Sequence, residues 1–579
     1  MRRTVRTFIL LSLGLAAPFH AQDRDFVPVT TAMLEHPSPN DWLMYSRTPD
    51  AQRYSPLDRI NRQNVGRLRE VFKRELGMGA QESIPIVHDG VMYLIAPGAS
   101  VLAVDATNGD LIWEHKRPEG TPPSRTKALA IYQDLVLFSS PDGFMVGLDA
   151  RTGAVRWETK SIGALISGVI VADGKVISGR ACGRERENCH ISAHDALTGE
   201  EVWRFYTVPW AGEPGDETWA GSPPDQRLAS PWGLAGGYDP ERRLILWGIA
   251  NPMPNTRAAR HGGNPRAIPV TAPSALYSNS TVALNPDTGK LVWYYQHLPG
   301  DDWDLDYTNE RVLVRSAVSP DPAHVKWINP DIPRGQVHDI AFTVGEGGGI
   351  FALDRDAGKF LWATPFPYDT PNFLISDIDV RTGQARLNEE VLLEEPGERH
   401  TICFWNTKSY WPMAYHVGEN SLFVPYVDNC VDNSSPIPES ENGPAVRAIR
   451  QGTPRPGANM EAFAGLAKIN AETGEITRIY TGRAPSNGAV LATAGGLVFW
   501  GDLARKFRAF DAASGEILWE ETLGGTIQNS TITYAVDGRQ YVAVFTGEGL
   551  LTGGLLEQAG LTDVPRRYNA LYVFALPDE

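Results

Sequence analysis

One phrase recurs along the chain and restricts its fold more than any other feature. An Asp or Asn is followed by Gly four residues on and by Trp eight residues on. Full copies are Asp105–Gly109–Trp113, Asp149–Gly153–Trp157, Asp195–Gly199–Trp203, Asn285–Gly289–Trp293, Asp354–Gly358–Trp362 and Asp511–Gly515–Trp519. A degenerate copy has Arg478 where Trp would fall after Asn470 and Gly474, and Asp379 with Gly383 is a fainter echo. The polar residue and the Gly make a tight hairpin turn in which Gly takes positive φ. β-rich residues flank each turn, as in 101–104 and 111–113. The Trp lies at a fixed distance past the turn, so every copy can set its ring against the next repeat. Neighbouring Trp residues about 45 positions apart fit one four-stranded blade. The wider gaps leave room for blades with decayed signatures or long insertions. The chain is therefore expected to be all-β, an eight-bladed β-propeller. The common repeat that ends in Trp-Asp lacks this phrase. A repeat speaks for architecture alone, and function must come from a site.

The first 21 residues read as a secretory signal. Arg2, Arg3 and Arg6 precede an apolar run, 8–17, too short to span a bilayer. Residues 22–579 then form a single propeller domain in the periplasm, with no membrane span. In an oxidising compartment four cysteines favour two disulfides. Pairing Cys182 with Cys189 and Cys403 with Cys430 closes the shortest loops; the other two pairings stay open. The six residues between Cys182 and Cys189 are too many for haem attachment, which needs two. The formal charge of −16 argues against a nucleic-acid partner. It suits a basic partner such as a small cytochrome c, and equally plain solubility.

Several phrases resemble the PQQ-dependent alcohol dehydrogenases. PQQ, pyrroloquinoline quinone, is a planar tricarboxylate ortho-quinone. The Trp-ended turn resembles that family's tryptophan docking motif. Further likeness lies in Arg53 to Leu57 with Ile60–Asn61, in Gln81–Glu82–Ser83, in Ser230–Pro231–Trp232, in Asn251–Pro252, in Gln296–His297 through Trp303–Asp304, and in 491–495. It runs from about Asp41 to Ala575 and is nearest to members without neighbouring cysteines or a fused haem domain. It implies oxidation of an alcohol by PQQ beside a calcium or lanthanide ion, with electrons passed to a cytochrome c or another external acceptor.

The resemblance also implies roles. Trp232 would be the aromatic floor under the quinone. Asn251 would give the ion an amide oxygen, and Asp304 would be catalytic base and ligand. Asp306 matches the extra acid of lanthanide-using members, where added negative charge suits a trivalent cation. Glu82, Arg125 or Lys127, Ser167 and Ser230 are candidates for the PQQ contacts; which of Arg125 and Lys127 fits is open. The third metal ligand, a Glu, should lie in 179–189. Simple register puts Arg184 there, and Glu187 or Glu185 could reach instead, with Glu187 favoured.

Other positions depart from the family pattern. The neighbouring cysteine pair that roofs the quinone is missing. Glu346 stands where a basic residue is usual, Ser409 where an Asn is, and Asn487 where a Trp often roofs the substrate pocket. A roomier pocket and a bulky or secondary alcohol are expected. The competing reading is a cofactor-free propeller acting as a scaffold in envelope-protein assembly, which would have no need of Trp232, Asn251 and Asp304 together. A sugar-oxidising or lyase propeller is a further alternative. Thr288–Gly289–Lys290 lacks the rest of a phosphate loop, and the glycines at 345–349 precede no helix pattern.

Overall fold

The computed structural model describes residues 26–578 apart from 124, 164–166, 183–184, 262, 440–443 and 529. The signal-peptide reading of 1–21 and the register position Arg184 lie outside them. Strands dominate the described residues, and helices are few and short.

Eight sheets of four or five strands follow one another along the chain, antiparallel except where Tyr54–Ser55 joins Leu491–Thr493 in parallel. The first holds Ile86–His88, Val91–Ala96, Ser100–Asp105 and Leu111–His115. The next four end on Val155–Lys160, Glu201–Tyr206, Leu291–Gln296 and Phe360–Thr364. Ile476–Gly482 and Ile517–Thr522 close the sixth and seventh. In the eighth sheet Arg69–Glu75, from before the first sheet, pairs antiparallel with Ala570–Ala575 from the end of the chain. The two ends of the fold are thereby stitched into one sheet. No repeat phrase announces this strand.

The recurring phrase forms the contacts its chemistry allows. The Trp113 indole donates to the Ala150 carbonyl at 3.0 Å, Trp157 to Ala196 at 3.2 Å and Trp203 to Pro286 at 2.8 Å. Each acceptor belongs to the turn of the following sheet. The turn glycines lie directly on these rings. A Cβ on Gly153 would be 2.5 Å from Trp113, one on Gly199 2.3 Å from Trp157, and one on Gly358 2.4 Å from Trp293. Where Arg478 replaces Trp, Gly515 meets Ile479 instead, and Gly109 meets Phe72.

Gly358→Ala should therefore cost more than backbone strain. It adds a clash to a left-handed φ of 64°, for about 1–3 kcal/mol of overpacking beyond the strain itself. Gly335→Ala, at φ 76° with nothing within 4 Å, should cost about 1 kcal/mol from strain alone. Urea midpoints of the two variants read the difference. Equal midpoints would show that the ring does not fill that space.

Three smaller sheets lie outside the eight and shape the site. Leu228–Ala229 pairs with Pro252–Met253, Ile375–Ile378 with Ala385–Leu387, and Arg399–Cys403, Asn429–Ser434 and Arg450–Pro454 form a three-stranded sheet. Disulfides join Cys182 to Cys189 and Cys403 to Cys430, the two local pairings. The second ties neighbouring strands of the three-stranded sheet.

Candidate active site

The short ladder Leu228–Ala229/Pro252–Met253 brings two predicted residues together. It places Ser230 and Asn251 just beyond paired positions, and Ala250 N donates to Ser230 O at 2.9 Å. Trp232 and Asn251 then meet at Asp306. The Trp232 indole donates to Asp306 Oδ2, and Asn251 N donates to Asp306 Oδ1 at 3.1 Å. Trp232 keeps part of its surface exposed, whereas Asp306 is buried. Burial pushes the Asp306 carboxyl up to about 6.

The loop carrying Asp304 and Asp306 is organised by its neighbours. Asp301 accepts from Trp303 N at 2.6 Å, Leu305 N at 2.8 Å and Asn279 Nδ2 at 3.2 Å, and burial raises its carboxyl to about 7. Asp302 accepts from Arg257 Nε at 2.6 Å and Arg260 Nη2 at 3.0 Å in a buried pair of salt bridges. Asp304 lies between these anchors at φ 67°, a left-handed conformation unusual for a non-glycine residue. Its half-shielded carboxylate forms a salt bridge with Arg450.

Glu346 adds a buried acid. It accepts from Asp306 N at 3.2 Å and from the Ser409 hydroxyl, and Asn406 in its flipped amide orientation donates to it. Burial, together with the Asp306 charge, holds its carboxyl well above the usual range. No Lys or Arg pairs with Asp306 or Glu346 among the described residues, so each is held only by neutral donors.

The candidates for PQQ contacts differ in their surroundings. Lys127 and Glu82 make a fully buried ion pair. Glu82 also accepts from the Tyr410 hydroxyl at 2.9 Å and from Leu550 N. Lys127 Nζ lies 3.8 Å from the Tyr410 ring centre and 5.6 Å from that of Trp232. Arg125 is exposed and has no ion pair among the described residues, which separates it from Lys127. Ser167 is buried with its hydroxyl on Gly179 N at 2.8 Å. The Ser230 hydroxyl donates to Arg180 O at 2.7 Å.

Glu187 stands apart. It is exposed on the turn Arg186–Asn188, as is Glu185 just before it. No hydrogen bond or ion pair joins its carboxylate to Asn251, Asp304 or Asp306 among the described residues. Asn487 is buried and donates to Thr552 Oγ1 at 3.4 Å.

A family model described as glucose/ethanol/alcohol dehydrogenase of the PQQ type, β-propeller domain, matches residues 42–158, 156–367 and 463–542. The chain belongs to the PQQ-dependent alcohol dehydrogenase family. Quinoprotein alcohol dehydrogenase PedH of Pseudomonas putida is 30% identical over 94% of this chain and 92% of its own length. Quinohemoprotein alcohol dehydrogenase ADH-IIG of the same species is 28% identical over 96% of this chain and 80% of its own. A solved europium-containing methanol dehydrogenase superposes with a TM-score of 0.79 at 25% identity, covering 94% of this chain and 99% of that one.

PQQ needs a flat apolar floor and donors for three carboxylates. The partly exposed Trp232 indole offers such a floor, and the exposed Arg125 is a candidate donor. A hard cation needs oxygen ligands. No donor reaches Asn251 Oδ1 among the described residues, and the buried Asp306 carboxylate lacks a basic partner. These residues fit both groups. No three His, Cys, Asp or Glu side chains converge as a metal cluster among the described residues. Tyr410 and Arg450 were not foreseen. Each meets its partner across a long stretch of chain, and neither stands in a phrase that signals the contact.

Proposed function

We propose that the chain oxidises a bulky or secondary alcohol to a ketone or aldehyde at the meeting point of Trp232, Asn251, Asp304 and Asp306. The observation that carries this is Asp306, whose two carboxylate oxygens accept from Trp232 and from Asn251. The indole of Trp232 and the backbone of Asn251 are thereby tied to one acid. The eight sheets are read as eight blades, locked by tryptophan docking and closed by Arg69–Glu75.

PQQ, bound with a calcium or lanthanide ion, supplies a two-electron acceptor with a polarised carbonyl. Trp232 fixes the plane of the ring, and Arg125 with Ser230 meets its carboxylates. Lys127 and Glu82, already paired, support the site rather than contact the cofactor as free charges. Asn251, Asp304 and Asp306 hold the ion. Asp304 takes the hydroxyl proton at its carboxylate as the substrate carbon gives up hydride. Asn487, smaller than Trp, leaves room for a wide substrate. Electrons leave to a soluble cytochrome c or another external acceptor, which the acidic charge would attract if that partner is basic. The chain is read as exported to the periplasm; no helix among the described residues is long and apolar enough to cross a membrane.

The test is to supply the protein with PQQ and either calcium or a light lanthanide. Alcohol-dependent dye reduction supports the enzyme. Absence of quinone uptake with either ion favours the cofactor-free scaffold.

Ion binding should depend on pH through Asp306. A carboxyl raised by folding holds its proton more tightly than in the unfolded chain. Ionising it therefore costs stability as pH rises from its ordinary range to about 6. The ion binds the ionised form, so its affinity should fall about tenfold per pH unit below about 6. Terbium luminescence titrations at several pH values check this. Asp306→Ala should flatten the dependence and weaken lanthanide more than calcium. A flat profile in the parent protein would remove Asp306 from the ligand set.

A further inference from the structure

We propose that Arg450 selects substrates carrying an anionic group, so that the natural alcohols are hydroxy acids; this rests on the reading of Asp304 as base and ion ligand. The three-stranded sheet outside the eight grips the Asp301–Asp306 loop at two points. Asn433 Nδ2 donates to Asp302 O at 3.2 Å, and Arg450, which pairs in register with Asn433, reaches Asp304. The Cys403–Cys430 disulfide braces two strands of this sheet. Arg450 is thus delivered to the reacting carboxylate by an accessory element.

Both side chains of the pair keep surface exposed. The Arg450 side chain is 38% exposed and that of Asp304 28%. The exposed part of the guanidinium fork can turn to a planar oxyanion. When a cation takes the Asp304 carboxylate, Arg450 loses its counter-charge. The nearest further acid in electrostatic reach is Asp301, whose carboxylate is turned to the backbone of its own loop. A half-shielded guanidinium without a partner favours an incoming anion. The substrate hydroxyl must approach this same point, because Asp304 accepts its proton. A carboxylate a few atoms from that hydroxyl meets Arg450.

The reaction balances without further reagents. The carbinol C–H leaves as hydride to PQQ, the O–H proton goes to Asp304, a C=O bond forms, and the carboxylate is unchanged.

The experiment uses the protein loaded with PQQ and a lanthanide, with loading verified by quinone absorbance. Turnover of a 2-hydroxy acid is compared with that of its neutral amide, and binding of the matching 2-oxo acid is measured by calorimetry. The acid should be preferred over the amide by about tenfold or more in kcat/KM, as a charge-assisted hydrogen bond implies. Arg450→Gln should cut the acid-to-amide ratio about tenfold to a hundredfold, mainly through KM, and abolish heat from the oxo acid. Arg450→Lys should restore part of both. A loaded, active enzyme that prefers the amide, or an Arg450→Gln variant that leaves the ratio unmoved, overturns the role of Arg450 alone. Failure to take up quinone overturns the enzyme reading and this proposal with it.

Discussion

Asp304→Asn should lower kcat by about 10²–10⁴-fold while the protein still takes up quinone. The amide keeps the size of the side chain and one oxygen for the ion, and it removes the base. The surrounding loop should survive the change. Asp301 and Asp302 hold it through backbone donors and through Arg257 and Arg260, and none of these contacts involves residue 304. Steady-state rates with an artificial acceptor, beside quinone absorbance, separate lost chemistry from lost cofactor. A fall of less than tenfold with full loading would mean that another group takes the proton. A variant without quinone would instead make Asp304 mainly a binding residue.

The second large effect concerns two of the PQQ-contact candidates. Glu82 and Lys127 are an ion pair with no exposed side-chain surface, braced by the Tyr410 hydroxyl and Leu550 N. Removing one charge leaves the other buried and uncompensated, at a cost of about 3–5 kcal/mol. Glu82→Gln should show that loss, and Glu82→Gln combined with Lys127→Met should recover much of it. Burial already lowers the Lys127 pKa. Without Glu82, Lys127 can escape the penalty by shedding its proton. The deficit of Glu82→Gln should therefore shrink as pH rises. Urea denaturation at neutral and alkaline pH measures this. Equal stability of the single and double variants would show that the pair is not coupled.

The sheets were legible because each turn needs Gly at positive φ and each ring needs a place to dock, and both demands recur at a fixed spacing. The sixth sheet was faint because Arg478 stands where a ring would be. The closing strand Arg69–Glu75 was silent because its partner lies at the far end of the chain. Within the site, Trp232, Asn251 and Asp306 are read from short phrases and are joined by hydrogen bonds, whereas the carboxylate of Asp304 meets Arg450. Glu187 is favoured in the sequence because Cys189 can pin it; Cys189 is in a disulfide with Cys182, and Glu187 is exposed on the turn between them. Arg125 and Lys127 differ in burial, Lys127 lying in a buried ion pair and Arg125 exposed, and sequence does not carry that difference. Arg450 could not be read because its contact with Asp304 depends on an accessory sheet whose strands are distant in sequence, two strands of the sixth sheet lying between Arg399–Cys403 and Asn429–Ser434.

In the proposed enzyme a redox ring on Trp232 and an ion among Asn251, Asp304 and Asp306 share one pocket. Anomalous scattering from a crystal of the protein loaded with PQQ and a lanthanide tests this arrangement. One strong peak is expected within bonding distance of oxygens from those three side chains, with Arg450 turned away from Asp304 and planar density over the indole. A peak elsewhere, or an indole face left bare in a crystal that has taken up quinone, would contradict it.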